Sequence, residues 1–595
     1  MRERSKRQLL WAIKRITDKQ GPVLMIVDGW CLRILSSCCS ISDVLELGVA
    51  AVEFLETDRQ PMKNMSSLYF LSDLPNSITL FINDFKKKRE KYKSAFLLFN
   101  CHLKGSCHLE LVAKSVSLKK ISGCYEILLD FIPYESKIFL TSKTTPVKSK
   151  DDVINKSKGG RDKNIRRDNS ELELLSQLNH SDYMQFYESI FSVLELHPNI
   201  RYQCCDHLLP KKIAEAAQSH IYKNESDNMK NSAADSTFLV LCRCNDLNPL
   251  FLHEYTYQAF TYDTLNVNIH PGPSDKDNKQ PNDIILIQKK SGNNESIATQ
   301  AFLSEGDDLW VKFRHEHLQK VNQTVLEEVN RFSKERDEAF NNTDTALDLV
   351  RSLPQLQQMV DRYWIHVTIS EMCFNEIEKS DIMRVGNIEQ DLATGVDKVG
   401  KSINASKSLA SISSILTDEK VDEYLKARLI MLYAVNISGL SSSDIKAMIS
   451  GSSFSPLLMN VVTDYLFKSD LFWLPPKPLD AVEASGSKYA YQTPKFYECD
   501  DYYKRNRNYD YELSRFQPNL YFILKKLICG KLSYEKYPCV KETATRGSIK
   551  KFIVYVCGGV TFSETRVIYS LCKELNVEIY LGGDTILVPK NILKM

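Results

Sequence analysis

The strand-length apolar runs of this 595-residue chain stop at Leu241 and start again only at Phe552. Phe552–Val556 and Val577–Leu581 are separated by one helical stretch, the spacing of a single βαβ unit. Two lone parallel strands cannot bury both of their faces. They are therefore predicted to join the sheet begun at Ser236–Leu241, a buried strand reading Ser-Thr-Phe-Leu-Val-Leu. That makes one domain from two distant segments and turns everything between them into an insertion.

The first part of the chain alternates. Apolar runs at Val23–Val27, Val49–Leu55, Ser67–Leu71, Ala95–Phe99 and Tyr125–Ile132 are interleaved with helical patterns at Cys31–Cys38, Ser77–Lys87 and Cys107–Lys114. This is the signature of a mainly parallel sheet. The domain ends near Phe139, because Lys143–Arg167 holds nine basic and three acidic residues and no aromatic ring, the composition of a solvated loop. Ser170–Leu196 returns to helical spacing. Asp307–Ile449 is helical in period almost throughout, with long amphipathic runs at Trp310–Asn342 and Asp344–Cys373. Pro475-Pro476-x-Pro478 and the tyrosine-rich Lys488–Asn508 mark a second irregular segment. The expected fold class is α/β plus α, with two mainly parallel α/β domains and a largely helical inserted one. The expected boundaries are 1–139, then 140–251 together with 477–595, then 252–476 with a hairpin near 344–373.

Composition narrows the function classes. Lys plus Arg number 77 against 75 for Asp plus Glu, a net +2, which supplies no global field for nucleic acid or an anionic membrane. No run reaches the ~18 apolar residues that span a bilayer. The N-terminal apolar run Leu9–Ile13 is cut by Lys14 and Arg15, too short for a signal peptide, so the chain is expected in the cytosol. Its 16 cysteines are scattered, with neighbours only at Cys38–Cys39 and Cys204–Cys205, which reads as reduced and mostly buried thiols. Cys101-His102-x4-Cys107-His108 offers four possible ligands, but its gap between cysteines exceeds zinc spacing, and no metal is expected. The turn at Gly558-Gly559 lacks the lysine of a phosphate loop, and Thr561 with Glu564 forms a capping box. With no nucleophile elbow and no metalloprotease helix, neither catalysis nor a cofactor is expected. The residues leave two alternatives open: an α/β enzyme with a helical insertion using the Gly558-Gly559 turn, and an RNA-binding protein using Lys86–Lys93 and the 143–167 loop.

Six segments fall in register along the chain: Leu-Arg-Ile-Leu-Ser-Ser-Cys-Cys at 32–39, Phe-Ile-Pro-Tyr-Glu-Ser at 131–136, Leu-His-Glu-Tyr-Thr-Tyr-Gln-Ala-Phe-Thr-Tyr-Asp at 252–263, Asp-Asp-Leu-Trp-Val at 307–311, Glu-Gln-Asp-Leu-Ala-Thr-Gly at 389–395 and Gly-Gly-Val-Thr-Phe-Ser-Glu-Thr-Arg at 558–566. In these the chain resembles the syntaxin-binding SM (Sec/Munc-type) proteins, and Ser-Ser-Cys-Cys resembles the plasma-membrane exocytosis branch. The resemblance implies a three-domain arch and a non-enzymatic SNARE regulator of vesicle docking and membrane fusion. The implied partners are syntaxin and the assembling SNARE complex with its vesicle SNARE, not nucleic acid. Membrane contact is implied only through SNAREs, from a cytoplasmic protein recruited to the plasma membrane.

The resemblance also implies three surfaces. Arg33 and Glu53 match an arginine and an acid of the syntaxin-contacting set, whose lysine and second acid are Ser40 and Gln60 here. A pocket for the syntaxin N-terminal peptide keeps Glu126, with His108 where the family has phenylalanine. A hairpin that templates SNARE helices carries Arg351, Pro354 and Val367, and Pro354 is expected to interrupt or kink its helix. The family's Asp-Arg-Gly-x-Asp is Cys242-Arg243-Cys244-Asn245-Asp246 in this chain, so Arg243 is expected to lack its usual acidic partner.

Overall fold

Strands in the middle of a parallel sheet are covered on both faces and must be apolar along their whole length. β1 (Val23–Val27) and β4 (Ala95–Phe99) meet that demand with every residue buried, and β3 (Ser66–Leu71) is buried throughout, its two opening serines bonded to Ser94. β2 (Val49–Phe54) and β5 (Ile121–Glu126) are only half-buried and take the edges, in the parallel order β2-β1-β3-β4-β5. The computed structural model describes residues 1–593 apart from 87–89, 104–106, 142–185, 206, 225–233, 266, 268–283, 291–295, 342–345, 404, 439–441, 468–489, 492–501, 506–509 and 542–548. The basic loop 143–167, the polyproline turn, and parts of the basic run at 86–93, the 170–196 helix and the tyrosine-rich segment lie outside the described residues. Among the described residues no helix is long and apolar enough to cross a membrane.

Chain order reverses between β2 and β3 on either side of β1, the point where α/β sheets usually open a ligand crevice. A buried carboxylate fills it here. Asp28 follows β1 and accepts the Cys31 amide at 2.8 Å, which starts α2 (Gly29–Cys38). Its other oxygen accepts the Ser72 amide at 2.7 Å, the Ser72 hydroxyl at 2.6 Å and the Ser77 hydroxyl at 2.8 Å.

The second sheet runs β6 (Ile138–Leu140), β10 (Glu578–Gly583), β9 (Lys551–Cys557), β8 (Ser236–Cys242), β7 (Pro198–Tyr202), all parallel. Phe552 lies opposite Thr237 in this ladder, so the two C-terminal strands do join the strand at 236. Two expectations need correction. The fifth strand of the first sheet ends at Glu126, and the run Ile127–Ile132 is buried outside it, because apolarity reports burial and not extension. Ile138–Leu140, expected to close the first domain, pairs with β10 instead. Gly582 permits this pairing: a Cβ there would sit 2.0 Å from the Phe139 ring.

The described residues form two compact units, Met1–Cys242 with Ser533–Gly559 and Leu571–Thr585, and Arg243–Leu532 with Val560–Ser570 and Ile586–Met595. The second unit is mostly helical and adds an antiparallel strand pair, Ile284–Lys290 with Ser296–Phe302, which the periodicity did not foresee. The quoted segments supply its buried polar pairs. His253 meets Glu389 at 2.8 Å, Asp263 meets Arg428 at 2.8 Å, and the Gln390 side-chain oxygen accepts the amides of Arg515 and Phe516.

Arg243 is not orphaned. Its guanidinium makes two 2.7 Å bonds to Glu564, 321 residues away, and both side chains are buried. Glu564 also accepts the Thr561 amide at 2.9 Å and so closes the capping box at the start of α8 (Phe562–Leu575). A buried charge left unpaired is strongly destabilising, whereas replacing both partners by apolar groups is tolerated far better. Arg243→Leu is therefore expected to lower stability by about 3–5 kcal/mol. The double variant Arg243→Leu/Glu564→Leu should recover much of that loss in urea unfolding, short of the lost cap.

Candidate protein-binding surfaces

α2 is anchored by its buried face and offers the other to solvent. Trp30 donates its indole N–H to Asp130 at 3.0 Å, and the Arg33 guanidinium lies 5.4 Å from the Trp30 ring centre. Burial lowers the Arg33 pKa to about 10, which leaves it charged at neutral pH. Glu53 lies opposite Ile26 on the edge strand β2 and is half-buried, with one oxygen lacking a hydrogen-bond partner among the described residues. The sheet therefore places Arg33 and Glu53 on α2 and on the strand beside β1. Ser40, where the family has lysine, caps α3 (Ile41–Leu45) by a capping box with Asp43. The cation at this corner comes from α1 (Arg2–Gln20), whose Lys6 meets Asp43 at 2.7 Å. Sequence spacing gave no hint of Lys6, because the pairing joins two helices.

Glu126, at the end of β5, is already engaged. It accepts from His102 Nδ1 at 2.7 Å and from the Leu103 amide at 3.2 Å, while His102 Nε2 faces Glu188 at 3.1 Å. Both ring nitrogens of His102 thus face carboxylates, which removes it from any zinc set with Cys101. The side chains of Cys107 and His108 lie outside the described residues, although the helix Cys107–Ser115 that carries them is described.

The hairpin consists of α6 (Leu318–Asn341) and α7 (Ala346–Lys379), following α4 (Tyr257–Thr264) and α5 (Asp308–Phe313). α7 runs unbroken through Pro354, so the expected interruption does not occur. A proline removes only its own donor, and the bonds on either side keep the helix going. The side chains of Arg351 and Pro354 lie outside the described residues. Val367 is fully buried, on the stripe Tyr363, His366, Val367, Ser370, Cys373 that packs inward. The exposed apolar side chains are others: Leu326 on α6, and Met359 and Trp364 on α7, with Trp364 44% exposed. An aromatic residue off the inward stripe is the signal that marks Trp364 in the sequence.

One polar chain ties α7 to the helices beneath it. The Tyr257 hydroxyl bonds His366 Nδ1 at 3.0 Å, and His366 Nε2 donates to Asp307 at 3.1 Å. Asp307 also accepts from Arg362 at 3.2 Å and from the Leu309 amide at 3.0 Å. Burial alone would raise the Asp307 pKa, but the bonds from His366 and Arg362 outweigh it and hold the carboxyl at about 2. The turn at Gly558-Gly559 is closed in its own way. Both glycines have positive φ, 94° and 101°, and the Gly558 amide donates to Asp584 at 2.7 Å. A carboxylate at the mouth of that turn repels phosphate, against the enzyme alternative.

A family model described as the Sec1 family matches residues 23–595. The protein transport protein sec1 of Dictyostelium discoideum is 26% identical, over 98% of this chain and 96% of its own. That of Schizosaccharomyces pombe is 25% identical, over 96% of this chain and 81% of its own. Among solved structures, the Unc18–syntaxin 1 complex from Monosiga brevicollis aligns with a TM-score of 0.78 at 21% identity, over 100% of this chain and 98% of that one.

A depressed carboxylate contributes stability above its ordinary pKa and loses it as pH falls through the folded value. The Asp307 contribution is thus complete above about pH 4 and disappears toward pH 2. Asp307→Asn should mimic the acid state at neutral pH, and amide exchange across Tyr363–Cys373 should speed up about tenfold, as expected for ~1.4 kcal/mol. Unchanged exchange would show that packing alone holds α7.

Proposed function

Since the chain belongs to the Sec1 family, we propose that it binds a syntaxin and SNARE helices to regulate vesicle docking and membrane fusion in exocytosis. The supporting observation is the family match over residues 23–595, which covers both sheets and the helical unit and not one motif alone. The solved relative of the same fold is held in a complex with syntaxin 1. On this reading the protein acts by binding energy, and no bond is made or broken. Arg33 on α2 meets a carboxylate of the syntaxin bundle, and Glu53 meets a cation. The side chains Met359 and Trp364 on α7, with Leu326 on α6, take the apolar stripe of a SNARE helix. Recruitment to the plasma membrane runs through those SNARE partners. The peptide pocket is weak, because Glu126 is committed to His102 and Leu103.

Rim charges set encounter rate and register more than final affinity. In stopped-flow mixing with a syntaxin cytosolic fragment at low salt, Arg33→Glu/Glu53→Arg should slow association by about tenfold, with the difference shrinking as salt is added. Equal rates at low ionic strength would remove these two residues from the interface. Isothermal titration gives a second check. Deleting the syntaxin N-terminal peptide should change Kd by less than about tenfold, ~1.4 kcal/mol, and a larger loss would mean the pocket is intact.

A further inference from the structure

Two thiols sit side by side where α2 ends. Cys38 is the last residue of the helix and Cys39 its C-cap, and their sulfurs are 3.7 Å apart. The Cys38 thiol also reaches the Ile34 carbonyl at 3.1 Å, which fixes its rotamer. Both residues are buried, but Ser36 and Ser40 on either side are exposed, so the pair lies one layer below the surface. Lys6 stands close by through its bond to Asp43, three residues after Ser40. The Cys39 thiol is held below its ordinary value, first by its hydrogen bond with Cys38 and further by Lys6 and Arg2, against burial and Asp43. The Cys38 thiol is pushed up by the same hydrogen bond and by burial. One sulfur of the pair is thus disposed to be thiolate and its neighbour to keep the proton, the division of roles that attack and resolution require.

We propose that Cys38 and Cys39 form a reversible oxidation site for a hydroperoxide. The Cys39 thiolate attacks the peroxide, one oxygen is transferred as the O–O bond breaks, and with hydrogen peroxide the leaving hydroxide takes up a proton to become water. The Cys38 thiol then displaces that hydroxyl as a second water, leaving a disulfide between adjacent residues. Adjacent α-carbons are about 3.8 Å apart, nearer than the 4.4–6.8 Å usual for a disulfide, so the bond is strained and easily reduced by a glutathione-like thiol. Closing it means drawing the sulfurs from 3.7 Å to about 2.05 Å. That twists the peptide between the two residues and pulls the Cys39 amide from the Leu35 carbonyl, its 2.8 Å partner at the end of α2. Its consequence for syntaxin rests on the reading of Arg33 above, since the same helix carries both, but the chemistry does not.

The test treats the folded full-length protein with hydrogen peroxide, blocks free thiols with an alkylating agent, and maps peptides by mass spectrometry. The expected result is a peptide spanning Cys38–Cys39 that is lighter by two hydrogens and unalkylated, and that returns to two free thiols in glutathione. In Cys38→Ser the resolving thiol is gone, and a dimedone adduct should accumulate on Cys39. The overturning result is full alkylation of Cys38 and Cys39 under conditions that oxidise the exposed thiols Cys124, Cys204 and Cys529. The wild-type map decides this even if the variant fails to fold. Amide exchange at Leu35–Ser40 should rise on oxidation, and unchanged exchange would overturn the link to the helix end independently of any partner.

Discussion

The parallel pairing of β8 with β9 carries the architecture, because it joins residues on the two sides of an insertion. Bringing Arg243 and Glu564 together closes a loop of 321 residues, a chain-entropy cost on the order of 5 kcal/mol. The ladder offsets that cost with backbone bonds and with burial of strands that are covered along nearly their whole length. The bidentate ion pair then fixes the start of α8 against the segment leaving β8. One carboxylate both caps a helix and neutralises a buried guanidinium, so removing Glu564 exposes two defects at once.

Much of what makes the chain recognisable is structural cement. The segments at 252–263, 307–311 and 389–395 do not gather into an exposed site. They place His253 on Glu389, Asp263 on Arg428 and Asp307 on His366, all within the helical unit. Buried polar groups have few acceptable neighbours, so such pairs hold a packing arrangement in one register. The side chains of the proposed syntaxin-contacting surface are freer to differ, and they do: Ser40 serves a helix cap and Gln60 is exposed where the resemblance would put charges.

How far the sequence could be read varies with the element. Central strands such as Val23–Val27 and Ala95–Phe99 were legible to the residue, since burial on both faces leaves an uninterrupted apolar run. The edge strand at 121–126 was misplaced, because its alternation is weak and the stronger apolar run beside it is a buried loop. The helix across Pro354 was underestimated for a related reason: one missing donor is a local penalty, and the 34-residue helix around it outweighs that penalty. At the surfaces, Arg33 and Glu53 are proposed from the resemblance alone. Lys6 was not found at all and His102 was weighed only as a metal ligand, because what matters about each is which distant group lies beside it; Trp364 was overlooked although its place off the inward stripe marks it.

The sequence by itself determined the class of fold, the insertion, the return of the chain to its second sheet and the capping box at Thr561 and Glu564. Each of these follows from periodicity, composition or a short spacing, properties that a chain carries before it folds. Only the tertiary structure decided the partners of the charges. Arg243 traded a lost neighbour for Glu564, Glu126 was taken by His102, and Val367 turned inward while Trp364 stayed in water. Coulomb attraction and hydrogen bonding act over a few ångströms of space and are blind to separation along the chain, so a pairing across 321 residues leaves no local mark in the sequence that encodes it.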